Sequence, residues 1–238
     1  MVAARATPLD SQRPTKLARL IWIAELCLIP LSNDLVALIT WRTGLDLYPV
    51  LAAALYAYIG IRHLRILPFG FAWSRRSLAI GAIAGLALAA PPVIFFLHPL
   101  GVGTVSYGPI AHMSLNGLLR YLVIDLLFLT ALIEELVFRH WLFFEMKSPL
   151  RTILFNAAIF TVWHGVAAFI AVATTQYGRS AGLLLLSYGG ALAAVFVGGV
   201  VFALVRRMTG SFVYSVLAHW LCDASFVIVI WATAYTAR

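Results

Sequence analysis

The sequence predicts an all-α protein, a polytopic transmembrane helix bundle with about seven spans, or eight if the first is split. Three observations lead there. Of 238 residues, 63% are hydrophobic and only 11% charged, whereas an ordinary soluble domain is roughly a quarter charged. The mean hydropathy is +0.96. The apolar residues also gather into segments of about 20, the length that crosses a bilayer as a helix. A chain of this length makes one compact bundle rather than several domains.

Residues 1–16 are polar and mildly basic, with Pro8 and Pro14, and read as a short disordered cytoplasmic tail. The transmembrane domain takes up 17–238. Its predicted spans are 17–41, 45–62, 78–97, 117–140, 152–173, 182–205 and 212–235. The first is interrupted by Pro30, Ser32, Asn33 and Asp34, so it is either one kinked helix or two shorter membrane-embedded pieces. It lacks a small-residue cleavage site and reads as retained rather than as a signal peptide. The Gly/Ala-rich stretches at 81–90 and 189–199 suit close helix–helix approach. No internal repeat or low-complexity tract interrupts the series.

The net charge of +8 belongs to topology. With the N-terminus in the cytoplasm, the inner segments hold Arg5, Arg13, Lys16, Arg19, Arg62, Arg65, Arg75, Arg76, Arg139, Lys147, Arg151, Arg206 and Arg207. That is thirteen of the 17 basic residues, and the 98–116 connection carries none. The excess predicts an N-in, C-out integral membrane protein. Compact length and the lack of eukaryotic targeting features point to a prokaryotic plasma membrane. No aromatic residues interleave with the basic ones, which excludes a nucleic-acid groove. Cys27 and Cys222 lie in apolar stretches and read as buried, unreactive thiols rather than as a disulfide.

Against this background a few ionisable residues stand out: Glu25, Asp34, Asp125, Glu134, Glu135, His164, His219 and Asp223. Each costs at least about 2.5–3.5 kcal/mol deep in a bilayer, so each needs a partner or a task. Glu25 and Asp34 read as structural. Asp125 lies about half a turn from Glu134 and is expected to pair with Arg120 or a hydroxyl. Within "LIEELVFR", Glu135 and Arg139 are spaced i,i+4 and form an ion pair on one helix face. Glu134 is turned about 100° away and has no such partner. One carboxylate is neutralised locally and its neighbour is left to work elsewhere.

"FTVWHG" places Phe160 and His164 on one helix face, and "AHWLCDAS" does the same for His219 and Asp223. Each has a plain alternative: a core histidine bonded to a neighbouring helix, or an intrahelical hydrogen bond. Depth argues for a single site. In the predicted topology Glu134, His164 and His219 lie roughly 9, 18 and 11 Å from the inner face at 1.5 Å per residue.

These residues resemble the CPBP family, the CAAX-protease and bacteriocin-processing intramembrane proteases that include the Rce1-type enzymes. The family pattern is EExxxR, FxxxH and HxxxN or HxxxD on three successive helices. Here it reads Glu134-Glu135-x-x-x-Arg139, Phe160-x-x-x-His164 and His219-x-x-x-Asp223. The run "RRMTGSFVYSVLAHW" is similar to the family's approach to the last motif, and the likeness covers about 115–230. The third motif ends in Asp rather than the commoner Asn.

The resemblance implies an intramembrane endopeptidase acting on a membrane-embedded or lipidated peptide or protein. Glu134 would be the general base that activates water, aided by His164, with no metal or other cofactor. His219 and Asp223 would polarise the scissile carbonyl or stabilise its oxyanion, Asp223 chiefly by orienting His219. Glu135 and Arg139, with Phe160, would hold the geometry. The alternative enzyme is a zinc protease with His164, His219 and Asp223 or Glu134 as ligands, although no HExxH is present. A transporter or accessory protein is the non-catalytic alternative; it lacks the expected repeated halves with matching broken helices.

Overall fold

The computed structural model describes residues 16–62, 73–97, 110, 112–143, 146 and 148–236. The tail at 1–15 and most of the 62–76 and 98–116 loops lie outside them. All seven apolar segments are helical, and no strand occurs among the described residues. We number the helices α1 (Lys16–Thr43), α2 (Tyr48–Arg62), α3 (Arg75–Leu97), α4 (residues 115–141), α5 (Pro149–Trp163), α6 (Gly165–Ala173), α7 (Ala181–Thr209) and α8 (Phe212–Thr236).

Four stretches are individually long and apolar enough to cross a membrane: Ile23–Thr43, Arg75–Ile94, Ala181–Thr209 and Phe212–Thr233. The pair α5 and α6 makes a fifth if taken as one span, bent by 51°; α2 is a shorter apolar helix. The outer surface is as greasy as the interior. Ile61 is 79% and Leu186 74% exposed, which only an apolar solvent makes tolerable. The protein is an all-α membrane helix bundle.

The first span is one continuous helix that accommodates Pro30 in its interior, not two pieces. It ends at Gly44, whose φ of +73° suits a residue without Cβ. Asp46 caps the next helix by accepting a hydrogen bond from Tyr48 N at 3.0 Å. Ser114 caps α4 through Gly117 N at 3.1 Å. Along most of α4 the hydrogen bonding widens to the i→i+5 pattern, in segments Tyr121–Leu132 and Leu136–Trp141 flanking Ile133–Glu135. Side chains from neighbouring helices reach its carbonyls. Trp220 Nε1 donates to Leu122 O at 2.9 Å, and the Tyr56 hydroxyl to Phe128 O.

α3 and α8 pack backbone to backbone. A Cβ on Gly81 would stand 2.7 Å from Tyr214 O, and one on Gly85 3.0 Å from both Ala218 C and Ala218 Cα. Only glycine permits this approach. Gly210, with φ +73°, turns the chain between α7 and α8.

Three expectations need correction. Cys27 is exposed on α1, and Cys222 only partly buried, because both point off the packed faces of their helices. Arg139 is fully buried, so it is a core residue and not a loop charge that reports topology. Among the described residues Asp125 makes no side-chain hydrogen bond or ion pair with Arg120 or any hydroxyl; only its backbone carbonyl receives Thr130 Oγ1, at 2.8 Å.

Candidate active site

Glu134 and Glu135 sit in the short tight segment Ile133–Glu135 between the two widened stretches of α4, both buried. Their side chains diverge as the helical spacing requires. Glu135 Oε2 lies 3.4 Å from Arg139 Nε, with neither side chain exposed. The guanidinium is held on further sides: Nη2 donates to Gly199 O at 3.1 Å, and the Phe160 and Phe202 rings lie 4.3 and 5.5 Å away. Gly199 permits this, since a Cβ there would stand 3.0 Å from Ala157 Cα.

Glu134 turns to the other side and uses its two oxygens differently. Oε1 accepts from the Tyr48 hydroxyl at 3.0 Å and from Trp163 Nε1 at 3.1 Å. Oε2 is buried and has no hydrogen-bond partner among the described residues. It faces His164 Nε2 at 3.5 Å and His219 Nε2 at 3.9 Å.

His164 stands at the break between α5 and α6. The break leaves backbone groups without helical partners, and α1 supplies them. Asn33 Nδ2 donates to Trp163 O at 2.6 Å, while Asp34 Oδ1 accepts from Val166 N at 2.8 Å. Glu25, the other acid of α1, accepts from the Tyr58 hydroxyl at 2.5 Å. The structural reading of both acids of α1 is what these contacts show. His164 Nδ1 is 2.9 Å from Phe160 O. A carbonyl only accepts, so Nδ1 carries the hydrogen, and in the neutral ring Nε2 presents a lone pair on the side of Glu134.

His219 is fixed from below by Glu135, whose Oε1 is 3.1 Å from Nδ1. Phe202 stacks on its ring at 4.6 Å and Phe160 meets it edge-on at 5.9 Å. Asp223 Oδ2 lies 3.4 Å from Nε2, the nitrogen that also faces Glu134. Both ring nitrogens therefore have carboxylate acceptors.

The three motifs thus converge. Glu134, His164 and His219 share one oxygen as their meeting point, Asp223 joins through His219, and Glu135, Arg139 and Phe160 form the floor. Access is one-sided: the side chains of Asp223 and His164 are 34% and 24% exposed, those of Glu134 and His219 4% and 6%. Among the described residues, no three His, Cys, Asp or Glu side chains are arranged to hold a metal ion. The sequence reading missed Tyr48, Trp163 and Asn33. Trp163 adjoins His164 in "FTVWHG", but an apolar-looking tryptophan gives no sign that its N–H meets a carboxylate.

Fold and site define an integral membrane helix bundle with a buried carboxylate–imidazole centre. Residues 116–225 match the family model described as type II CAAX prenyl endopeptidase Rce1-like, in line with the resemblance that the three motifs carry. The match contains all seven motif residues. No curated protein and no solved structure gives a match.

Proposed function

We propose that the chain is a metal-independent, glutamate-dependent intramembrane endopeptidase, with 17–238 as its catalytic domain. The observation that carries this is the buried Glu134 Oε2, without a hydrogen-bond partner among the described residues and facing two imidazoles. A water bridging Glu134 Oε2 and His164 Nε2 meets two acceptors, one for each of its hydrogens. Glu134 takes a proton as the oxygen attacks the scissile carbonyl. The carbonyl carbon becomes tetrahedral, and its oxygen gathers negative charge. His219 Nε2–H donates to that oxyanion, a contribution of several kcal/mol in a dry site. Collapse breaks the C–N bond, and the proton held by Glu134 passes to the leaving amine.

Glu135 holds His219 by Nδ1, which leaves Nε2 for the substrate. Asp223 accepts from Nε2 until the carbonyl arrives. Phe160 and Phe202 fix the ring planes. The family's description supports a membrane-associated, prenylated CAAX-type tail as substrate, with the bilayer as medium and no nucleic acid. The basic residues that remain once Arg139 is set aside support an N-in orientation.

The test is Glu134→Gln in the purified full chain. Cleavage of a prenylated CAAX-type peptide should fall by at least about 10³-fold, the scale of losing a general base together with its charge, while the protein stays folded. The wild type should retain activity in strong chelators and contain no stoichiometric metal. Full activity in the variant, or about one zinc per chain with chelator inactivation, would refute the reading.

A further inference from the structure

Helix α2 lies outside the segment that matches the endopeptidase family, yet its first residue touches the candidate base. We infer that Tyr48 is a positioning residue for Glu134. The inference rests on the proposed role of Glu134 and goes beyond it, because it extends the catalytic unit to the N-terminal helices.

The placement of Tyr48 is built rather than incidental. Asp46 caps the helix at Tyr48 N. Tyr48, Ala52, Leu55 and Ile59 follow one another at helical spacing, and the last three are buried in the main core with Ile133, Leu136 and Val137 of α4. The Tyr56 hydroxyl ties the next turns of α2 to the α4 carbonyl at Phe128. The Tyr48 hydroxyl therefore arrives at Glu134 on a rigid element, not on a loop.

Its effect follows from which oxygen it meets. Tyr48 and Trp163 both donate to Oε1 and neither to Oε2. Two donors fill one oxygen's acceptor positions and fix the rotation of the carboxylate. Oε2 is thereby kept for water, directed at His164 Nε2. Without the hydroxyl, Trp163 alone holds Oε1 and the carboxylate gains a second orientation.

Tyr48→Phe removes the hydroxyl and keeps the ring, so it separates the hydrogen bond from packing. In the full chain, kcat should fall about tenfold or more, in line with the loss of a supporting contact to a reacting group. KM should stay within about twofold and thermal unfolding should scarcely move. Combined with Glu134→Gln, the change should cause no additional loss. Trp163→Phe, measured in parallel, reads the same oxygen from its other donor and should also lower kcat at steady KM. A wild-type kcat in Tyr48→Phe, or a raised KM with kcat unchanged, overturns the inference. Full activity in Glu134→Gln would instead remove the base itself.

Discussion

The substitution Gly85→Ala tests whether catalysis depends on the α3–α8 contact. The added Cβ would stand 3.0 Å from Ala218 C and Cα, and nearer still to the Ala218 carbonyl oxygen. Ordinary carbon contacts are about 3.5–4.0 Å, so the helices must part by roughly 0.5–1 Å. Every atom it meets belongs to backbone, so no rotamer change relieves the clash. Overpacking of this kind costs about 1–3 kcal/mol, and better helix propensity returns up to about 1 kcal/mol. The net loss of stability is modest. The catalytic loss should be larger, because the displaced residue adjoins His219, and a misplacement of about 1 Å costs roughly 10²-fold in rate. Gly81→Ala is the matched control, since it strikes Tyr214 O at 2.7 Å, more than one turn before His219. It should cost similar stability with a smaller fall in kcat. Gly189→Ala meets nothing within 4 Å and should be neutral. The assay is cleavage of a prenylated fluorogenic peptide in detergent, alongside thermal unfolding. Activity within twofold of wild type in Gly85→Ala, or equal kcat losses in both α3 variants, would refute the reasoning.

Three more outcomes are expected. Glu135→Gln strands the fully buried Arg139 and loosens His219, so it should cost about 3–5 kcal/mol of stability as well as activity; a protein that melts like wild type would contradict the ion pair. Asp223→Asn keeps an acceptor beside His219 Nε2 and adds a possible donor, so much of the activity should survive, whereas coupled loss of turnover and metal would favour a zinc site. Single cysteines at Ser74 and Ser106, with Cys27 and Cys222 replaced, should label from opposite sides of the membrane, and labelling of both from the same side would refute the seven-span arrangement.

The apolar helices were legible because twenty-residue apolar segments leave few other options. Glu134, Glu135 and Arg139 were legible because i,i+4 spacing pairs one acid and leaves its neighbour unpaired. His164 and His219 could be read as costly groups at matching depth. What could not be read was lateral placement. Hydropathy says that α1 and α2 cross or enter the membrane, but not that they lean on α5 and α4. Hence Asn33 looked like an interruption and Tyr48 like one more residue of the 45–62 span. Arg139 was counted with the inner-side charges because it stands at the inner end of its span. The core-facing side of α4 and the carbonyl of Gly199 draw it inside.

The bend beside His164 has a consequence for how the protein is made. Inside a bilayer, lipid offers nothing to the carbonyl before a break or the amide after it. Asn33 and Asp34 supply both partners, so α1 is a precondition of the bend. Without α1, residues 149–173 would do better as one straight helix of about 37 Å at 1.5 Å per residue, long enough to cross the membrane. Chains are synthesised and folded N-terminus first, and α1 is therefore already in the membrane when this segment arrives. The imidazole reaches its place through the order of synthesis: an early helix waits for a later one and bends it.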